Sequence, residues 1–135
     1  MSDSAPDGDL DRRVREFAAE WLRLGEPGVG EDLVADPLLV LGPQGTSAVP
    51  RAAFLAAVGR RRDVVAAATT SDTALTGVAT TALGEPMVLA TLTWSFGEGS
   101  RAVALVGDFL LQREGDRGMR CVAYLPRTNV LDHLD

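Results

Sequence analysis

The stretch Pro86–Pro126, PMVLATLTWSFGEGSRAVALVGDFLLQREGDRGMRCVAYLP, decides how this chain folds. It holds three β-rich runs separated by Gly97-Glu98-Gly99 and Glu114-Gly115-Asp116. Two apolar runs joined by a short Gly-containing loop form a hairpin, and two hairpins in succession form a three-stranded meander. Successive side chains in a strand point to opposite faces. Pairing across Glu98-Gly99 therefore puts Val88, Leu92, Trp94 and Phe96 on one face with Val103, Leu105, Phe109 and Leu111. The opposite face carries Thr91, Thr93, Ala104, Val106, Asp108 and Leu110, and Cys121 and Leu125 are assigned to it as well. Both faces are apolar in the middle, whereas a sheet with helices on one side and water on the other shows one polar face. The second face is thus expected to be covered by a second copy of the chain, giving a homodimer through the sheet.

Working outward from the meander, Ala66–Leu83 (AAATTSDTALTGVATTAL) reads as one more long strand, with a bulge or bend near Gly77. Further upstream, Leu38–Leu41 reads as a short buried strand, Gly42-Pro43-Gln44-Gly45 as its turn and Thr46–Val49 as a brief returning partner. Three helices are expected before or between these strands. In the first, Leu10, Val14, Phe17, Trp21 and Leu24 recur at helical spacing and form one apolar stripe. Arg12, Arg13, Glu16, Glu20 and Arg23 take its other side, Asp9 serves as N-cap, Gly25 as C′ residue, and Pro27 prevents continuation. A short second helix fits Val29–Ala35 and ends at Asp36-Pro37, because the residue before proline is pushed out of the α region. A third starts at Pro50, with Phe54, Leu55 and Val58 facing inward and Arg60-Arg61-Arg62 complementing the negative end of its dipole. Residues 1–8 read as a disordered tail and 9–135 as a single α+β domain with helices on one face of a curved, mostly antiparallel sheet.

Composition narrows the function classes. The net charge is −6 and all 13 basic residues are arginines, so the chain gains little from counterion release at a phosphate backbone, and no nucleic-acid partner is expected. No apolar run is long enough to cross a membrane and the acidic N-terminus lacks a signal-peptide pattern, so a cytoplasmic location is expected. The single cysteine, Cys121, rules out an internal disulfide and reads as a small buried strand residue. The one histidine, His133, lies in the terminal tail, and no Asp/Glu/Cys cluster has ligand spacing, so neither metal nor cofactor is expected. Gly25, Gly28 and Gly30 precede a weak helix rather than following a strand, which is not a phosphate loop.

The element order over residues 9–130 resembles the NTF2-like superfamily, in its SnoaL-like and ketosteroid-isomerase-like branch. The amphipathic first helix ending at Gly25, the segment DLVADPLLVLGPQG, the helix PRAAFLAAV and the closing hairpin GDFLLQREGDRGMRCVAYLPR carry the resemblance. It implies a cone: a bent sheet wraps about three N-terminal helices and leaves an apolar pocket, often in a sheet-paired dimer. It also implies positions for catalytic groups. The general base of isomerase-like members would fall near Gly42, which cannot move a proton, and their tyrosine donor near Phe17. Their third group, an aspartic acid on the penultimate strand, would correspond to Asp108, although a one-residue slip changes its face.

Asp108 thus has two readings: a pocket acid with a raised pKa, or a carboxylate paired to an arginine or to backbone N–H groups. Phe17 and Trp21 are candidates for the pocket floor, and Tyr124 for a lining donor. Trp94, Phe96 and Phe109 suit core or interface better than pocket. Three functions stay open. One is a small-molecule-binding domain holding an apolar ligand without a catalytic set. A second is a SnoaL-like isomerase, cyclase or dehydratase using Asp108. The third is a dimeric protein-interaction module whose cone is filled by its own side chains.

Overall fold

The computed structural model describes residues 4–24, 26, 28–42, 45–68, 73–96, 103–114 and 118–127, with the side chains of 4–8, 61–68, 96 and 103 left out of that description. The elements follow in the order α1 (Ser4–Trp21), β1 (Val34–Gly42), β2 (Gly45–Val49), α2 (Arg51–Ala68), β3 (Ala74–Gly84), β4 (Met87–Phe96), β5 (Val103–Arg113) and β6 (Met119–Pro126). The six strands form one curved sheet in the order β2-β1-β6-β5-β4-β3. Every neighbouring pair is antiparallel except β1 and β6, which run parallel.

The meander forms as its two-residue periodicity dictates. Val88 pairs with Leu111, Ala90 with Phe109, Leu92 with Gly107 and Trp94 with Leu105, so the expected inner face is the observed one. Val88, Ala90, Leu92, Phe109 and Leu111 are almost wholly buried there. Across them lies α1, whose Val14, Phe17 and Ala18 are buried, with Leu24 buried just past its end. This stripe is the one the 3.6-residue period selects. Arg12 with Glu16, and Arg15 with Asp11, occupy the solvent side as exposed i,i+4 pairs that solvent screens. Arg13 departs from the expected polar side: its side chain is only 16% exposed.

Four details correct the sequence reading. Two helices, not three, are found among the described residues: Val29–Ala35 is not helical. Gly28 and Gly30 adopt φ of 80° and 118°, a left-handed backbone that interrupts a helix. One turn closes through Leu33 N and Val34 N onto Gly30 O, and an isolated turn does not propagate. From Val34 the chain instead joins β6, and Cys121 N donates to Leu33 O at 2.7 Å. Asp36-Pro37 then falls in the irregular stretch between Val34 and Leu39, where a residue without an N–H is tolerated.

Second, α2 runs through Ala66–Ala68, assigned above to a strand, because a helix already formed continues through alanines at little cost. Arg60–Arg62 consequently lie well before the helix end, outside the last turn where the dipole acts. Third, α1 starts at Ser4, ahead of the expected N-cap Asp9; Pro6 falls in the first turn, whose N–H groups have no intrahelical acceptor. Fourth, Cys121 faces inward. A register shift between Leu110 and Leu111 inserts one extra residue into β6, which pairs Cys121 with Leu111 and reverses its side. The expected bulge near Gly77 is present as a register shift between Leu75 and Gly77. Gly25, Pro27, the turn residues 97–99 and 115–116 and His133 lie outside the described residues.

Candidate functional site: the aromatic cone

The inner face of the sheet and the two helices converge on six rings. Helix α1 contributes Phe17 and Trp21, one turn apart with centroids at 5.7 Å. Phe109 on β5 is fully buried and touches four others: Trp21 at 4.8 Å, Tyr124 at 4.9 Å, Phe17 at 5.7 Å and Trp94 at 5.7 Å. Trp21 also reaches Tyr124 at 5.2 Å and Phe54 of α2 at 5.8 Å. Most of these contacts are tilted or edge-to-face, the arrangement that the ring quadrupole favours, each worth about 0.5–1.5 kcal/mol beyond area burial. Gly107 makes the cluster possible. A Cβ there would sit 3.1 Å from Tyr124 Cε1 and 3.2 Å from Phe109 Cε1, so any larger residue would push the two rings.

Phe17, Trp21 and Tyr124, the pocket residues expected from the sequence, are therefore brought together. Asp108 is not among them. It alternates with Gly107 and Phe109 and stands on the outer face, paired with Thr91 on one side and Leu125 on the other. Thr91 Oγ1 donates to Asp108 Oδ1 at 2.5 Å, and Arg127 donates from Nε to Oδ2 at 2.7 Å. The carboxylate is 12% exposed and the arginine 56%. Asp108 is the paired-carboxylate reading, not the pocket acid. Its partner Arg127 was missed, though the register could have found it: Arg127 lies two residues past Leu125 on the same face, the diagonal position within reach of a long side chain.

The remaining isomerase positions carry no acid–base group. Gly42 pairs with Gly45 at the end of β1, and Phe17 is core. Among the described residues the buried core contains no polar or charged residue, and no group of three or more His, Cys, Asp and Glu could hold a metal ion. Burial pushes the Cys121 thiol up to about 12, with its Sγ–H donating to Ala123 O at 3.2 Å. It stays a neutral thiol, not a nucleophile.

Among the described residues three buried side-chain nitrogens lack a hydrogen-bond partner, Arg13 Nη1, Arg120 Nε and Trp94 Nε1. Trp94 is 6% exposed, and its Nε1–H is buried with no acceptor among the described residues. Such an orphan donor costs about 1–3 kcal/mol. Its strand and face were legible in the sequence; its lack of a partner was not. Burial on the inner face differs from strand to strand. The Val88–Leu111 pair is 2% and 0% exposed, whereas Leu75 and Leu105, which flank Trp94 across β3 and β5, are only partly buried. Trp21 and Tyr124 are likewise partly exposed. Trp94 itself is buried, and at the other end of the sheet Ala82 of β3, the partner of Val88, is exposed.

No family model matches the sequence, and no curated protein is similar to it. Solved structures are similar. A protein from Kribbella flavida superposes with a TM-score of 0.61 at 16% identity, covering 92% of this chain and 91% of its own. An NTF2-like protein with a cystatin-like fold from Novosphingobium aromaticivorans gives 0.61 at 17%, covering 93% and 90%. An NTF2-like protein of unknown function from Shewanella oneidensis gives 0.56 at 13%, covering 90% and 98%. Likeness at such identities speaks to architecture, and with the topology above it shows that this chain has the NTF2-like, cystatin-like α+β fold.

Proposed function

We propose that the chain is a small-molecule-binding domain that takes an apolar ligand in its cone and carries no catalytic set. The observation that supports this reading is the set of partly exposed apolar and aromatic side chains around the buried rings of the inner face. Aromatic and aliphatic side chains continue to the partly exposed Trp21, Tyr124, Leu75 and Leu105, and among the described residues there no carboxylate or imidazole stands beside the Tyr124 phenol. A concave, mostly apolar surface of this kind is where small ligands are held. Acid–base turnover would need a proton-transfer group inside, and Asp108 is on the other side of the sheet. The mutual contacts of Phe17, Phe54 and Phe109 favour a second reading, in which the rings fill the cone and only the outer face acts.

The outer face is the proposed self-association surface in either reading. Leu89, Val106, Leu110, Ala123 and Leu125 are partly exposed on it in a single copy, and a second copy would remove them from water. Native mass spectrometry of the untagged protein from its own host, repeated after denaturation, tests both parts. A dimer carrying extra mass that is lost on denaturation is expected. A bare dimer would instead favour the filled cone, and a bare monomer would overturn both the ligand and the covered face.

A further inference from the structure

We infer that a second copy covers the outer face about a two-fold axis running across the strands, along the row of Leu39, Ala123, Leu110 and Leu89. Arg127 then reaches the partner's Glu114, and Arg120 the partner's Asp108; this rests on the self-association reading above. The row is continuous in the register. Leu39 pairs with Ala123, Ala123 with Leu110 and Leu110 with Leu89. Ala48 of β2 and Thr81 of β3 extend it to both edges of the sheet. It holds no ionisable group, and Leu39, 42% exposed, is among the large apolar side chains that a single copy leaves in water.

Charge beside the row selects this partner and its orientation. Asp108, held by Arg127, lies two residues from Leu110 on one side. Gln112 lies two residues from Leu110 on the other side and is paired with Arg120. Both hold Glu114, Gln112 Nε2 at 3.1 Å and Arg120 Nη2 at 3.6 Å. Further out, Arg127 is level with Val106, to whose O its N donates, and Glu114 lies just past the end of β5. Each flank of the row thus carries one acid and one base. All four side chains keep some exposure, from 12% for Asp108 to 56% for Arg127, so each has a part left for another molecule. A two-fold along the row lays every strand over its own copy and exchanges the two flanks. Every acid thereby meets a base at the polar rim of an apolar contact. A two-fold along the strands would instead lay each flank over itself, bringing Arg127 beside the partner's Arg127. A partner of one charge sign would be repelled by half of the rim.

A double-mutant cycle on the full chain tests this, because Arg127 and Glu114 stand too far apart to touch within one copy. Arg127 is level with Val106, eight residues from Glu114 along the chain, which is about 27 Å at the rise of a strand. Changes at such a distance act independently unless association brings the two residues together. Dimer dissociation constants are read by sedimentation for the wild type, Arg127→Ala, Glu114→Ala and the double variant, with circular dichroism to check the fold. Each single change is expected to weaken the dimer about fivefold, the scale of two partly exposed ion pairs per dimer. The double variant should be no weaker than either single one, since both remove the same contact. Should Arg127→Ala fail to fold, Arg127→Gln takes its place. Losses that multiply in the double variant, or single variants as tight as the wild type, overturn the inference and leave the covered face standing. A wild type that is monomeric at every concentration overturns the self-association reading and the inference with it.

Discussion

Arg127 grips Asp108 with two nitrogens on a single carboxylate oxygen, Nη2 at 2.6 Å and Nε at 2.7 Å, on the face of the sheet turned away from the aromatic cone. The backbone supports the grip, since Arg127 N donates to Val106 O at 3.0 Å and carries the β5–β6 ladder past the end of β6. Thr91 takes the other carboxylate oxygen, so three strands or strand ends meet at one acid. This is a structural knot on the outer surface. The residue most attractive as a catalyst by sequence thus stands on the face away from the rings, by one step of strand alternation.

Asp108→Asn tests that assignment. It keeps the shape and a Thr91 contact but removes the charge that Arg127 meets. Because the arginine is more than half exposed, solvent screening limits the loss to about 1 kcal/mol. Urea unfolding should show this modest drop, while affinity for an apolar probe in the cone stays unchanged. Loss of cone binding with stability intact would put Asp108 back at the site.

Much of the architecture could be read before any coordinates because the meander obeys a strict period of two and α1 a period of 3.6. The failures have local causes. Val29 and Leu33 stand at helical spacing, and only the left-handed φ of Gly28 and Gly30 reveals that the segment turns into β1. Cys121 was placed on the wrong face because one extra residue in β6 reverses every side chain beyond it, and nothing in REGDRGMRCVAY marks where that residue sits. The Trp94 donor is a different kind of miss. Whether an N–H finds an acceptor is a property of the packed arrangement, not of any local run of residues.

Gly107→Ala should destabilise the chain although alanine suits a strand better than glycine. Its methyl would lie 3.1 Å from Tyr124 and 3.2 Å from Phe109, two rings stacked 4.9 Å apart, one of them wholly buried. Overpacking of this kind costs about 1–3 kcal/mol. A fall in the urea midpoint with an unchanged m-value would confirm it, whereas wild-type stability would mean that the rings shift freely.

Phe109→Ala removes the centre of the ring cluster. The side chain is fully buried and touches Phe17, Trp21, Trp94 and Tyr124. A loss of about 3–5 kcal/mol is expected, from lost transfer energy and the cavity left behind. If the variant stays folded, the new space beside Trp94 should tighten binding of a small apolar probe such as naphthalene. Equilibrium unfolding and calorimetry together read both effects.

Cys121 gives a pH signature. The thiol's ordinary value of 9.0 is pushed up to about 12 by burial, so the folded chain keeps a proton that the unfolded chain releases. Stability therefore falls as pH rises from about 9 towards 12, by the linkage between proton binding and folding. Cys121→Ala should lessen the slope in that window. At pH 8 the native thiol should resist iodoacetamide and react once urea unfolds the chain; prompt native labelling would contradict the burial.

The outer face makes the last prediction. Leu110 lies at its centre, with Leu89 opposite it on β4 and Ala123 on β6, all partly exposed in a single copy. Leu110→Arg leaves the inner core untouched, so far-UV circular dichroism and Trp fluorescence should match the wild type. A guanidinium in the middle of a sheet-to-sheet contact would meet its own symmetry copy across the two-fold and would have to shed water without a counter-charge. The variant should therefore run as a monomer in light scattering at a concentration where the wild type is a dimer. Ala19→Arg, at an exposed position of α1 away from the sheet's outer face, is the control and should leave the dimer intact. A Leu110→Arg variant that still dimerises would place the contact elsewhere on the molecule, and the half-exposed leucines would then be an ordinary solvated face.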